Sequence, residues 1–296
     1  MKKNKEFLTG VLFSLTNSLS LGILGVVDKI GAEHYASSIV FSLQSVFFSF
    51  LFVTLFSLFY FKKSYIRNIK GIPPSLMTLI ILVGIFASGL YILFRFLGLT
   101  QSTGTFATLA QVVITAETAI AAFIFLKEKL SKIFWLLFVI ILIAIYFVSV
   151  GKFQLTTLQR GDILIMIGAS FVTFANIFSK LVVNKINPVI LSEGRFLFGS
   201  IFLLLTALFF FHQTNLFAFS IWSLISGFFW AINVIAFNFA IKKIGVTLTT
   251  SLLMIAPIYT MILEYLILKQ TFNLLQITAA FVVIISGILM VILKEK

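Results

Sequence analysis

Apolar residues run along this chain in stretches of about twenty, each closed by a charge, a proline or a polar cluster before the next begins. A spanning helix needs roughly 20 such residues to cross about 30 Å of hydrocarbon. Ten stretches meet this, at about 7 to 29, 36 to 61, 74 to 98, 103 to 126, 132 to 150, 161 to 183, 188 to 211, 218 to 241, 246 to 268 and 273 to 293. The expected fold is an all-α membrane protein of ten transmembrane helices. Pro73-Pro74 and Pro188 fall where a helix begins, a position at which proline loses no needed hydrogen bond. Pro257 falls inside a run instead, so it should bend or loosen the ninth helix near the midplane.

Composition narrows the function. With 60% apolar and 10% charged residues in 296, little is left for a domain outside the membrane. The absence of cysteine excludes disulfides, thiolate metal sites and cysteine nucleophiles, and His34 and His212 alone cannot build a histidine zinc centre. No Gly-x-x-x-x-Gly-Lys-Ser/Thr loop occurs, so energy for any movement across the membrane must come from the moving solute's own gradient or from a coupled ion rather than from ATP. No cofactor is expected. The run that follows Met1-Lys2-Lys3-Asn4-Lys5 continues past signal-peptide length and reads as a span that stays.

A net charge of +13 would suggest nucleic acid in a soluble protein, but here the basic residues sit between apolar runs and act as topology signals. With the amino terminus in the cytoplasm, Lys2, Lys3, Lys5, Lys62, Lys63, Arg67, Lys70, Lys127, Lys129, Lys132, Lys180, Lys185, Lys242, Lys243, Lys294 and Lys296 share that side, 16 of the 22 basic residues. Lys29, Lys152, Arg160 and Lys269 face the other side, and Arg95 and Arg195 lie within spans. This bias expects both termini in the cytoplasm, on a multi-pass protein of the cytoplasmic membrane.

The chain also repeats itself. An offset of 151 lays Gly10 on Gly161, Lys29 on Lys180 and Phe47 on Phe198; an offset of 142 lays Thr105 on Thr247, Thr108 on Thr250, Ile120 on Ile262 and Leu126-Lys127 on Leu268-Lys269. The nine-residue difference matches the longer loop from Lys62 to Ile72. Each half, 1–151 and 152–296, holds five spans. Because five is odd, the second half enters from the opposite side, which makes the halves inverted repeats. Equivalent loops agree: Lys62, Lys63, Arg67 and Lys70 correspond to a segment, His212 to Phe217, with no lysine or arginine.

At this point the chain resembles the drug/metabolite transporter superfamily, and within it the EamA-type ten-helix exporters. The most recognisable stretch is Gly104 to Gly151, where one span passes through Leu126-Lys127-Glu128-Lys129-Leu130 into the next. Val246 to Leu293 forms the second copy and keeps a mid-helix proline at Pro257, while Glu193-Gly194-Arg195-Phe196 resembles the arginine-phenylalanine pair of the family's second helix. Thr115, Gln270 and Gln44 depart from the family pattern. The resemblance implies a central cavity between the repeats, to which the last helix of each half contributes least. It implies secondary transport, with export of small metabolites such as amino acids or related compounds as the expected direction. A lipid-carrier flippase on the same frame is the alternative, and an intramembrane enzyme lacks a catalytic constellation. Expected partners are a small-molecule substrate and the lipid bilayer, without nucleic acid; a homodimer stays open.

A charge at the bilayer centre costs about 2.5 to 3.5 kcal/mol, so each one must face a partner or water. Glu117 lies ten residues from Lys127 and Arg195 ten from Lys185, which gives both the same depth and predicts that they interact, directly or through water, as an ion pair near the midplane. Glu117 could then carry a coupled proton, or the pair could simply fix helix packing. Arg95 and Glu264, near outer ends, are expected to snorkel to the interface, and Lys29 and Lys180 to anchor there. Asp28 beside Lys29 offers an outer gate as an alternative. Helical spacing places Ser14, Asn17, Ser18, Gly25 and Asp28 on one inward face, and Ala169, Thr173, Asn176 and Lys180 on its repeat mate. The expected lining is Asn17, Tyr91, Gln111, Glu117, Asn176, Arg195, Trp230, Asn233, Pro257 and Tyr259.

Overall fold

The computed structural model describes residues 2–35, 37–65, 69, 71–126, 131–151, 159–183, 185–212, 215–216 and 219–293, and every regular element among them is a helix. The turn from Lys127 to Leu130, and Arg67, Lys70, Lys152, Lys294 and Lys296, lie outside the described residues. Helix α1 spans Lys2–His34 and α2 Ser38–Phe61. Helix α3, Pro74–Leu99, has proline in its first turn and widens into a π-helical stretch at Gly84–Leu90. Helices α4 (Gly104–Leu126), α5 (Lys132–Val150), α6 (Arg160–Val182) and α7 (Pro188–Phe209) follow. Local chemistry sets several ends: Ser131 Oγ accepts from Phe134 N–H, Asn187 Oδ1 accepts from Val189 N–H, and Gly151 closes α5 at φ 69°.

Beyond α7 the structure departs from the simple pattern. Helical hydrogen bonding runs from Ile221 to Leu253, yet Gly245 sits at φ 79° and ψ 169°, a conformation open to glycine. That residue ends α8, Ile221–Gly245. Residues 246–253 open α9, which breaks at Met254 and Ile255 and resumes as Ala256–Leu268. Pro257 therefore stands in the first turn of a helical segment rather than inside an unbroken helix, which corrects its expected placement. Its ring has no N–H and crowds the carbonyl four residues back, so the ladder stops and restarts there. Helix α10 is Leu274–Leu293.

Among the described residues, seven helices are long and apolar enough to cross a membrane by length and composition, and Ala256–Leu268 and Leu274–Leu289 are shorter apolar helices. Large apolar side chains such as Phe59, Phe209, Phe210 and Leu274 are fully outward on the bundle. Such an exterior suits hydrocarbon as solvent and no aqueous one.

The major helix contacts have a symmetry. Helix α1 packs on α8 and α9, and α6 packs on α3 and α4; α2 packs on α8, and α7 on α3. Helix α2 also meets α7, α4 meets α9, and α5 meets α10. Exchanging each of the first five helices with the one five places later leaves this set unchanged. Small residues permit the closest crossings: a Cβ built on Gly199 would lie 2.5 Å from Ser88 Cβ, and one on Gly98 would lie 2.5 Å from Gly161 O.

Candidate functional site

Where the inner helices converge, a cavity of about 50 Å³ remains, room for a few waters. Helix α1 supplies Asn17 and Leu21, α3 Tyr91, α4 Gln111, and α6 Val172 and Asn176. Helix α7 contributes Arg195, α8 contributes Trp230, Asn233, Val234 and Phe237, and Leu253 closes it just before the break in α9. Among the described residues, neither α5 nor α10 supplies a lining residue. The inward stripe read from α1 is in place, with Ser14, Asn17, Ser18 and Asp28 all buried.

Most polar groups here are tied to another helix. Asn17 Nδ2 donates to Asn233 O at 2.9 Å, and Asn233 Nδ2 donates back to Asn17 O at 3.1 Å, which clamps α1 to α8. Asn17 Oδ1, in a residue only 1% exposed, has no hydrogen-bond partner among the described residues. The Tyr91 hydroxyl oxygen accepts from Gln111 Nε2 at 2.9 Å and, at the long limit of 3.5 Å, from Arg95 Nη1. Asn176 Nδ2 donates to Thr118 Oγ1 at 3.2 Å. Arg195 donates through Nε to Ser88 Oγ at 3.0 Å and through Nη2 to Ala87 O at 3.3 Å.

Beside the cavity lies an ion pair sealed from solvent. Arg95 Nε donates to Asp28 Oδ2 at 3.1 Å, and both side chains are 0% exposed. Ser226 Oγ donates to the other carboxylate oxygen at 2.7 Å, Arg95 Nη1 donates to Ala107 O at 3.1 Å, and the guanidinium lies 5.7 Å from the Trp230 ring centre. Helices α1, α3, α4 and α8 thus share one polar knot. Arg95 does not snorkel to the interface as its position suggested; a counter-charge inside the bundle holds it. Nor does Asp28 close a gate with Lys29, whose Nζ donates to Leu99 O at 2.8 Å and pairs with Glu33 at 2.7 Å. The Lys180 side chain lies outside the described residues.

The carboxylates are placed by hydroxyls and a helix end. Glu264, 1% exposed, accepts from Gly104 N–H at 2.6 Å, from Thr105 N–H at 3.0 Å and from the Thr105 hydroxyl. Snorkelling fails here too, because the N-terminus of α4 offers unpaired N–H groups and a positive dipole end. Glu117 accepts from Ser170 Oγ at 3.1 Å and Thr173 Oγ1 at 3.0 Å, both on α6. Among the described residues Glu117 and Arg195 form no direct ion pair. Shared depth is not shared direction: Glu117 turns toward α6 and Arg195 toward α3. Glu193 accepts from Thr54 at 2.9 Å and from the Tyr65 hydroxyl. Burial and that carboxylate push the Tyr65 phenol well above its usual value.

Of the ten residues expected to line a cavity, Asn17, Tyr91, Gln111, Asn176, Arg195, Trp230 and Asn233 come together around this one. Glu117, Pro257 and Tyr259 stand outside its lining. Tyr259 packs on α1 instead, where a Cβ on Gly22 would lie 2.5 Å from its own Cβ. Sequence reasoning missed the Asp28–Arg95 pairing, the capping role of Glu264, and Asp162, which accepts from the hydroxyls of Ser102 and Ser149. An acid in a helix first turn signals Asp162; for the other two no local signal exists.

A solved crystal structure of a protein superimposes on this chain with a TM-score of 0.68 over 96% of each chain at 13% identity, which shows a shared fold. No curated protein matches it. The profile of the EamA-like transporter family matches twice, over residues 8–150 and again over 159–293. Those two matches take in most of the chain, and this protein belongs to the EamA-like transporter family, membrane transporters of the drug/metabolite transporter superfamily.

Proposed function

We propose that the chain exports small metabolites, amino acids or related compounds, across the cytoplasmic membrane by alternating access, with both termini in the cytoplasm. Two inverted halves, 1–151 and 152–296, rock about the central cavity while the substrate gradient or a coupled ion supplies the energy. The observation that carries this reading is the composition of the lining. Asn17, Tyr91 and Gln111 from the first half meet Asn176, Arg195, Trp230 and Asn233 from the second around one small hollow. A site built at the junction of two bodies closes or opens whenever they tilt, as alternating access requires. The exchange symmetry of the helix contacts supports the pairing of the halves. A cavity of about 50 Å³ suits a closed state, which must widen to admit a metabolite.

The test begins with thermal stability of the purified protein against amino acids, nucleosides, sugars, organic cations and lipid carriers, since a ligand that prefers the folded state raises its melting point. A stabilising compound should then show counterflow in proteoliposomes. Counterflow of none, with movement of lipid carriers instead, would replace this reading by the flippase.

A further inference from the structure

We infer that the central cavity takes a ligand carrying an anionic group, and that Arg195 is its counter-charge. The inference rests on the transporter reading and adds the chemical class of the substrate. A cation removed from water is stable only when paired or fully hydrogen-bonded. Arg95, the other arginine within a span, meets this with Asp28. Arg195, half-buried at the cavity, does not: its described contacts are a hydroxyl, a backbone carbonyl and the Phe196 ring 5.8 Å from the guanidinium carbon, none of them anionic, and the two hydrogen bonds engage two of the five N–H donors of a guanidinium.

The acids that could reach it are committed elsewhere. Glu117 is held by Ser170 and Thr173, Glu264 caps α4, and Glu193, two residues away on α7, takes its bonds from Thr54 and Tyr65 on Oε1, while its buried Oε2 meets no donor among the described residues and forms no ion pair with Arg195. Neither ion pair among the described residues includes Arg195. Yet Arg195 lines the cavity. Beside it, the Tyr91 hydroxyl oxygen already accepts from Gln111, which leaves its proton to donate. A carboxylate or phosphate here would engage the arginine's remaining N–H donors and accept that proton, both as charge-assisted bonds.

The same cavity presents the opposite chemistry on α1. Asn17 Oδ1 is buried and unpartnered, and its amide nitrogen is already spent on Asn233 O. A buried acceptor without a donor is costly unless a ligand brings one. The ligand therefore pairs an anionic group, at Arg195, with an N–H or O–H donor, at Asn17.

Melting of the purified protein is measured against lactate, phenyllactate, propionate, inorganic phosphate and the two uncharged amides, lactamide and phenyllactamide, at matched ionic strength. Lactate or phenyllactate should raise the melting temperature in a saturable way, the corresponding amide should not, and propionate, which lacks the hydroxyl donor, should bind more weakly than lactate. Stabilisation by phosphate above the carboxylates would assign the anion as a phosphate. Arg195→Gln should weaken the anion by about ten- to a hundredfold, and Arg195→Lys by less. Equal stabilisation by acid and amide, no shift with any anion, or full binding by R195Q overturns the inference; should R195Q not fold, the acid and amide comparison on the unaltered protein decides. Anion binding without counterflow would instead overturn the transport reading and leave this one standing, whereas counterflow of an uncharged metabolite untouched by R195Q does the reverse.

Discussion

Replacing Asp28 by asparagine isolates the charge in the buried knot, because the amide keeps the carboxylate's shape and an oxygen to accept from Ser226 or Arg95. Among the described residues no other carboxylate meets Arg95, whose remaining partners, Ala107 O, the Tyr91 hydroxyl and the Trp230 ring, carry no charge. Asp28→Asn thus leaves a fully buried cation without a counter-charge, a situation that costs about 3 to 5 kcal/mol. At about 2 °C per kcal/mol for a chain this long, the melting temperature should fall by roughly 6 to 10 °C. Adding Arg95→Gln removes the stranded charge, so the double variant should be more stable than Asp28→Asn alone. Thermal unfolding in detergent, followed by circular dichroism on the four proteins of the cycle, reads the coupling directly. Additivity of the two substitutions within about 0.5 kcal/mol would refute the reasoning, since it would mean that the two charges do not depend on each other.

Glu264→Gln keeps one accepting oxygen but loses the charge at the start of α4, and should lower stability by about 1 to 2 kcal/mol; an unchanged melting temperature would deny the capping role. Gly199→Leu forces a side chain onto Ser88, where even a Cβ comes to 2.5 Å, and should separate α3 from α7 at a cost of about 1 to 3 kcal/mol, visible as a lower melting temperature and reduced recovery of folded protein. Glu117→Gln should remove the pH dependence of transport in proteoliposomes, with Ser170 and Thr173 still able to bond the amide. Transport that keeps its pH response in that variant rules Glu117 out as the coupled proton carrier.

The inward faces were legible because helical period converts sequence spacing into direction. Asn17 and Asp28 on α1, and Thr173 and Asn176 on α6, could be assigned to one side of their own helices from spacing alone. Seven of the ten residues expected to line a cavity surround the central one. Partnership was not legible. Glu117 and Arg195 share a depth, yet each turns toward a different neighbour, and one dimension of sequence carries no information about azimuth between helices. Arg95 and Glu264 were misplaced for a related reason. A charge near the end of a span snorkels when lipid surrounds it, but these two meet Asp28 and the N-terminus of α4, which only packing brings near.

The sequence alone determined the number and extent of the apolar runs, the doubling of the chain and the family, because those depend on composition, length and period along the chain. Packing decided the rest: that α9 restarts at Ala256, that Asp28 neutralises Arg95, and that Arg195 faces the hollow with neutral partners. Inside a bundle the free energy of a charged side chain is set by whichever helix lies across from it. That neighbour comes from the fold and stands, for Arg95 and Asp28, sixty-seven residues away in sequence.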